Sequence, residues 1–149
     1  MKVILQRSLR ADVRVKGEIV GEIPHGLVAL IGIAHRDNEA TVRLLADKTA
    51  NLRIFSDQAG KMNRSVLDTG GGVLAISQFT LLANCRKGRR PSFSDAAPSA
   101  TAKHLYERFA DHLAGLGIPV ARGIFAADMA VSLINDGPVT IVLDSAELE

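Results

Sequence analysis

Hydrophobic and polar positions alternate from the start of the chain. Val3 and Leu5, then Val13 and Val15, are spaced by polar residues, and Gly17 in "VKGE" precedes Ile19 and Val20. A two-residue period broken by a turn glycine predicts an N-terminal strand folding into a hairpin. Residues 26–34, "GLVALIGIA", are almost wholly apolar, the pattern of a central strand covered on both faces. From Asp37, read as an N-cap, Val42, Leu45, Ala46 and Thr49 recur at helical spacing. After Ser99, Ala102, Leu105, Tyr106, Phe109, Ala110 and Leu113 do the same, so two main amphipathic helices are expected. Between them "GGVLAISQFTLLA" reads as a further buried strand, and beyond Gly117 "IPVARGIFAADMAVSLI" and "PVTIVL" supply two or three more. Helices covering one face of a mixed sheet, in a compact α/β domain spanning 1–149, is the economical architecture.

Composition narrows the class. With 149 residues, 47% hydrophobic and 23% charged, one domain with a sizeable core is expected. No window reaches the roughly 18 consecutive apolar residues of a membrane helix. "MKVILQRSLR" turns polar after Leu5, unlike a secretory leader. A cytoplasmic protein with no membrane partner is the expectation. One cysteine, Cys85, excludes an intrachain disulfide, and histidines at 25, 35, 104 and 112 are too scattered for a zinc set; no metal and no cofactor are expected. A net charge of +2 does not announce a nucleic-acid binder, so such a role must rest on local clusters.

Three segments concentrate the chemistry. In "SQFT", Ser77 to Thr80, a buried strand turns polar. A Thr nucleophile needs a base within hydrogen-bond reach, and none lies nearby in sequence; local bonds from Ser77 and Thr80 to the backbone are the plainer account. In "RKGRRPSF", four of the five residues Arg86–Arg90 are basic, which reads either as a solvated loop or as an arm contacting phosphates. In "LINDGPVTIVLDS", Gly137 and Pro138 stand before an apolar run. A cis bond there would turn two carbonyl oxygens nearly the same way, a neutral trap for an ammonium group. Because only about 5% of X-Pro bonds are cis, spacing alone favours an ordinary turn.

Taken together, "LQRS", "GKMN", "SQFTL", "KGRRPSF" and "FAADMAVSLINDGPVT" resemble the D-aminoacyl-tRNA deacylase family, in order and from Met1 to about Ser145. SQxT and NxGP[VF]T are specific in combination. The resemblance implies a barrel-like mixed sheet with two main helices, in a homodimer whose active site lies at the subunit interface. It implies hydrolysis of the ester joining a D-amino acid, or glycine mischarged on a non-cognate tRNA, to the terminal adenosine. Ser77, Gln78, Phe79 and Thr80 would line the pocket for adenosine and ester, while Gly137 and Pro138, joined by a cis bond, would reach in from the other subunit to hold the aminoacyl group. Lys87, Arg89 and Arg90 are the residues expected to contact tRNA. The terminal ribose 2′-OH would assist, with oxyanion stabilisation from backbone N–H groups near Phe79 and Thr80. Two readings from other classes compete: a nucleic-acid-binding module without catalysis, and a D-amino-acid-binding protein.

Overall fold

The computed structural model describes residues 1–149. Its longest strands are the first and the last, β1 (Lys2–Val15) and β8 (Ala130–Asp144), which pair antiparallel. The predicted hairpin is present as β1 and β2 (Glu18–Ile23), and β3 (Gly26–Gly32) continues back along the first half of β1. The apolar run at 26–34 is thus a central strand, ending at Gly32, with β1 on one side and the parallel β6 (Gly72–Ser77) on the other. β7 (Val120–Arg122) extends the sheet beyond β6. The far edge curls back onto β2: a Cβ added to Gly21 would lie 2.7 Å from the Arg122 carbonyl oxygen. The sheet is therefore mixed and nearly closed, as expected.

Glycine is required where β3 and β6 begin. Gly26 has φ +143°, and a Cβ on it would fall 1.9 Å from the Gly72 carbonyl oxygen. Only a residue without a side chain allows that approach.

Two helices cover one face, α1 (Glu39–Asn51) and α3 (Ser99–Gly115). Their apolar faces, carrying Val42, Leu45, Phe109 and Leu113, join Val3, Leu5, Leu27 and Ile31 of the sheet in one core. A smaller cluster, including Val13, Ile23, Val28, Leu74 and Ile76, fills the inside of the curl. Short elements that the hydrophobic pattern does not announce complete the fold: a two-stranded ribbon β4 (Phe55–Ser56) and β5 (Met62–Arg64), and single-turn helices α2 (Val66–Thr69) and α4 (Ser145–Leu148).

Three sequence expectations are corrected. Asn38, not Asp37, caps α1, its Oδ1 accepting from the N–H groups of Ala40 and Thr41 at 2.9 and 3.1 Å. Asp37 is committed elsewhere, since its buried carboxylate accepts from the Met1 ammonium at 2.5 Å and from the Ala34 N–H at 2.6 Å. The strand expected across 71–83 stops at Ser77. Gln78 gives its N–H to Ile31 at 2.7 Å, the ladder between β3 and β6 ends there, and Phe79–Leu82 closes into a 3₁₀ turn. Finally, no strand starts after Pro138: β8 runs through Gly137 and Pro138 as one element.

Candidate active site

The end of β6 forms one wall of a cleft of about 490 Å³, a size suited to a nucleoside-like ligand. Ile31 and Ile76 supply its floor from the sheet, Ala102 comes from α3, and Phe125 and Met129 come from the segment between β7 and β8. Ser77, Gln78 and Phe79 line it directly. Thr80 does not. It sits exposed on the 3₁₀ turn, where its hydroxyl accepts a hydrogen bond from the Gln78 side-chain amide. That turn has no side-chain cap, so the leading N–H groups at Phe79 and Thr80 are not taken up by a capping oxygen.

The segment Gly123–Met129 folds back closely on itself. A Cβ on Gly123 would lie 2.5 Å from the Met129 sulfur, and Ala126 adopts φ +65°, a region that non-glycine residues enter mainly where surrounding structure compels it. Tyr106 backs the segment, with its ring 6.2 Å from that of Phe125 and its hydroxyl donating to the Ala75 carbonyl at 2.8 Å. Burial pushes the Tyr106 phenol up to about 12, so it stays a neutral donor. Asp128 is the one charged side chain lining the cleft, and no histidine lines it.

The Gly137-Pro138 bond is cis. On β8 the pairing passes from Thr140 opposite Gln6 to Asn135 opposite Ser8, so Asp136, Gly137, Pro138 and Val139 stand against Arg7 alone and bulge from the ladder. Arg7 props the bulge. Its side chain, 10% exposed, gives Nε to the Asp136 carbonyl at 3.2 Å and to the Asp136 carboxylate at 3.1 Å, and Nη1 to the Ile54 carbonyl at 2.7 Å. Asn135 closes the other side, donating from Nδ2 to the carbonyls of Arg7 and Val139 at 2.9 and 3.0 Å. Gly137 and Pro138 do not line the cleft of their own chain.

Lys87, Arg89 and Arg90 are exposed on a hairpin tip whose ends are fastened where Asn84 and Ser92 exchange backbone hydrogen bonds of 2.7 and 3.0 Å. They do not reach the cleft wall either, but Phe93, just beyond, packs against Phe79 with ring centroids 5.0 Å apart. No group of three or more His, Cys, Asp or Glu gathers anywhere in the fold in a way that would hold a metal ion.

The family model described as D-Tyr-tRNA(Tyr) deacylase matches residues 4–144. The chain belongs to that family. Among curated relatives of this deacylase-family chain, "D-aminoacyl-tRNA deacylase" of Rhodopirellula baltica is 67% identical over 144 residues, covering 97% of this chain and 99% of the relative. The protein of that name from Thermomicrobium roseum is 57% identical over 148 residues, covering 99% and 96%. A solved structure titled "c-Myc DNA Unwinding Element Binding Protein" superposes with a TM-score of 0.90 at 38% identity, covering 97% of this chain and 98% of that one. Another, titled as a probable eukaryotic D-amino acid tRNA deacylase, has a TM-score of 0.84 at 17% identity over 95% and 97%, and attests the fold.

The cleft and the bulge also use residues to which sequence reasoning gave no role. Arg7, under the bulge, lies in "LQRS", and Phe125, Asp128 and Met129, lining the cleft, lie in "FAADMAV". An arginine two residues after Leu5, in phase with Val3 and Leu5, was the available signal for Arg7: its position faces inward, where an unpaired charge is rarely placed.

Proposed function

We propose that this protein is a homodimeric chiral editor that removes D-amino acids, and glycine mischarged on a non-cognate tRNA, from the terminal adenosine of tRNA. Membership of the family makes it a hydrolase of D-aminoacyl-tRNA esters. The observation that carries the finer reading is the separation of the two motifs: Ser77, Gln78 and Phe79 border the cleft, whereas Gly137 and Pro138 stand apart from it on a braced bulge. A second copy provides the missing half if the bulge of each chain enters the cleft of the other. β8 suits such an interface, having only β1 as a ladder partner and exposing Ile134 and Val142, one on each side of the bulge, at 43% and 64%; an open strand edge with exposed apolar side chains favours association.

The chiral choice follows from geometry. With the ammonium held by two backbone carbonyls and the ester held in the cleft, the two enantiomers differ only by exchange of side chain and α-hydrogen. One hand directs the side chain outward, and the other drives it into backbone that cannot yield cheaply. Glycine passes this filter. Chemistry then needs little: the ester is already activated, and a cleft without histidine is suited to water attack with the ribose 2′-OH assisting and backbone N–H groups at Phe79 and Thr80 receiving the oxyanion. Thr80, exposed and engaged with the Gln78 amide, has no base beside it to make it a nucleophile.

The test is hydrolysis of D- and L-tyrosyl-tRNA by purified protein with EDTA present, with sedimentation to give the subunit number. Rapid loss of the D ester alone from a dimer is expected. Equal loss of both esters, or activity in a strict monomer, removes the cross-subunit filter. The structure titled as a DNA unwinding element binding protein and the loop Arg86–Arg90 favour one second reading, a nucleic-acid binder without catalysis. It predicts salt-sensitive retention of tRNA with neither ester cleaved.

A further inference from the structure

We propose that Phe79 and Phe93, together with the basic hairpin behind them, form a stacking platform for the unpaired nucleotides that precede the terminal adenosine of the substrate RNA; the inference rests on the deacylase reading above. Both rings stand in solvent, 54% and 36% exposed, where they contribute little to the core. They meet edge to face at 70°, which leaves ring surface uncovered for a planar partner. Phe79 borders the cleft mouth, and Phe93 is tied to the cleft wall through a turn in which its carbonyl accepts the N–H of Ala96, itself a lining residue, at 3.1 Å. A strand of RNA whose last nucleoside sits in the cleft and which leaves on the Phe79 side passes this pair.

Charge identifies the occupant. Arg86, Lys87, Arg89 and Arg90 are all exposed on the adjoining tip, and none is paired with a carboxylate. Four free cations beside two bare aromatic rings fit a polyanion carrying planar groups: the cations neutralise phosphates while the rings accept bases of any identity. A second copy of this chain fits the same patch poorly, because a twofold contact there would bring like charges together. Stacking also suits a substrate range defined by its amino acid, since every base offers a π-face and the platform imposes no sequence.

Phe93→Leu tests this, keeping apolar bulk against Phe79 while removing the aromatic face. Two substrates separate the roles: D-tyrosyl-tRNA, and D-tyrosyl-adenosine, which lacks the preceding nucleotides. Loss of one stacked base corresponds to about five- to 150-fold. KM for the tRNA ester should rise by that range with kcat retained, KM for the nucleoside ester should stay unchanged, and Phe93→Tyr should restore the tRNA value. Equal loss on both esters, or no loss on either, overturns the platform. Should the wild-type protein cleave neither ester, the deacylase reading fails instead. Fluorescence anisotropy with a single-stranded RNA ending in CCA then decides the platform alone: roughly tenfold weaker binding by Phe93→Leu supports it, and equal binding overturns it.

Discussion

Replacing Arg7 by methionine should release the bulge without emptying the space beneath it. The guanidinium makes short bonds to the carbonyls of Ile54 and Asp136, at 2.7 and 3.2 Å, and pairs with the Asp136 carboxylate at 3.1 Å. Each bond from a charged donor contributes about 1.5–3 kcal/mol. The ion pair adds less than about 1 kcal/mol, because the Asp136 side chain is 38% exposed. Methionine avoids the cost of desolvating a guanidinium and keeps most of the apolar contact. The net expected loss is about 2–4 kcal/mol, which for a chain of this size lowers Tm by about 5–15 °C. Urea titration gives the stability change, and KM for a D-aminoacyl ester reports the bulge, which should bind the aminoacyl group at least tenfold more weakly once its prop is gone. A variant that loses stability yet keeps its KM would show that Arg7 supports the fold and not the site. A midpoint shift worth under about 1 kcal/mol, with KM unchanged, would refute the assignment altogether.

Gly137→Ala should fold but lose most D-ester cleavage, since Gly137 sits at φ +120° and the new methyl would lie 2.9 Å from Arg7 Nη2 and 3.0 Å from Val139 Cγ2; single-turnover hydrolysis reads this, and wild-type rates would contradict it. Thr80→Ala should retain measurable activity in the same assay, whereas an acyl-enzyme trapped on Thr80 would end the water mechanism. The Tyr106 phenol, raised from 10.0 to about 12 by burial, binds its proton more tightly folded than unfolded. Its contribution is therefore complete below about pH 10 and fades as pH rises toward 12. Denaturant midpoints across that window should fall in the wild type and fall less in Tyr106→Phe, which is also expected to lose about 0.5–1.5 kcal/mol at neutral pH with the hydroxyl's bond to Ala75, whose carbonyl keeps the Gly123 N–H at 3.1 Å.

What was legible in the sequence was whatever periodicity and punctuation encode locally. The two main helices, the N-terminal hairpin and the buried run at 26–34 carry clean periods, and their core faces were read correctly. The stop at Ser77 was not readable, because an apolar run looks the same whether or not a neighbouring strand continues beside it; the length of β3 decides where β6 ends. Asp37 and Asn38 are equally good caps on paper, and only the Met1 ammonium, brought close by the fold, claims one of them. At the site, SQFT and Gly137-Pro138 were visible as motifs. Arg7 and Met129 were not visible as site residues, since Arg7 acts through a strand pairing that spans most of the chain, and Met129 reaches the cleft only once β7 and β8 are placed. Thr80 carried a chemical hint by residue type, and its hydroxyl lies on the exposed 3₁₀ turn beside the cleft, engaged with the Gln78 amide.

The pairing of β1 with β8 has a consequence for synthesis. The first strand emerges from the ribosome long before its partner, and Arg7 must wait for Asp136 until nearly the whole chain has been made. Contacts of such sequence separation form late and slowly. An incomplete nascent chain, even one with β3 and β6 already paired, therefore lacks the braced bulge, and its first strand stays half unpartnered until its last has been made.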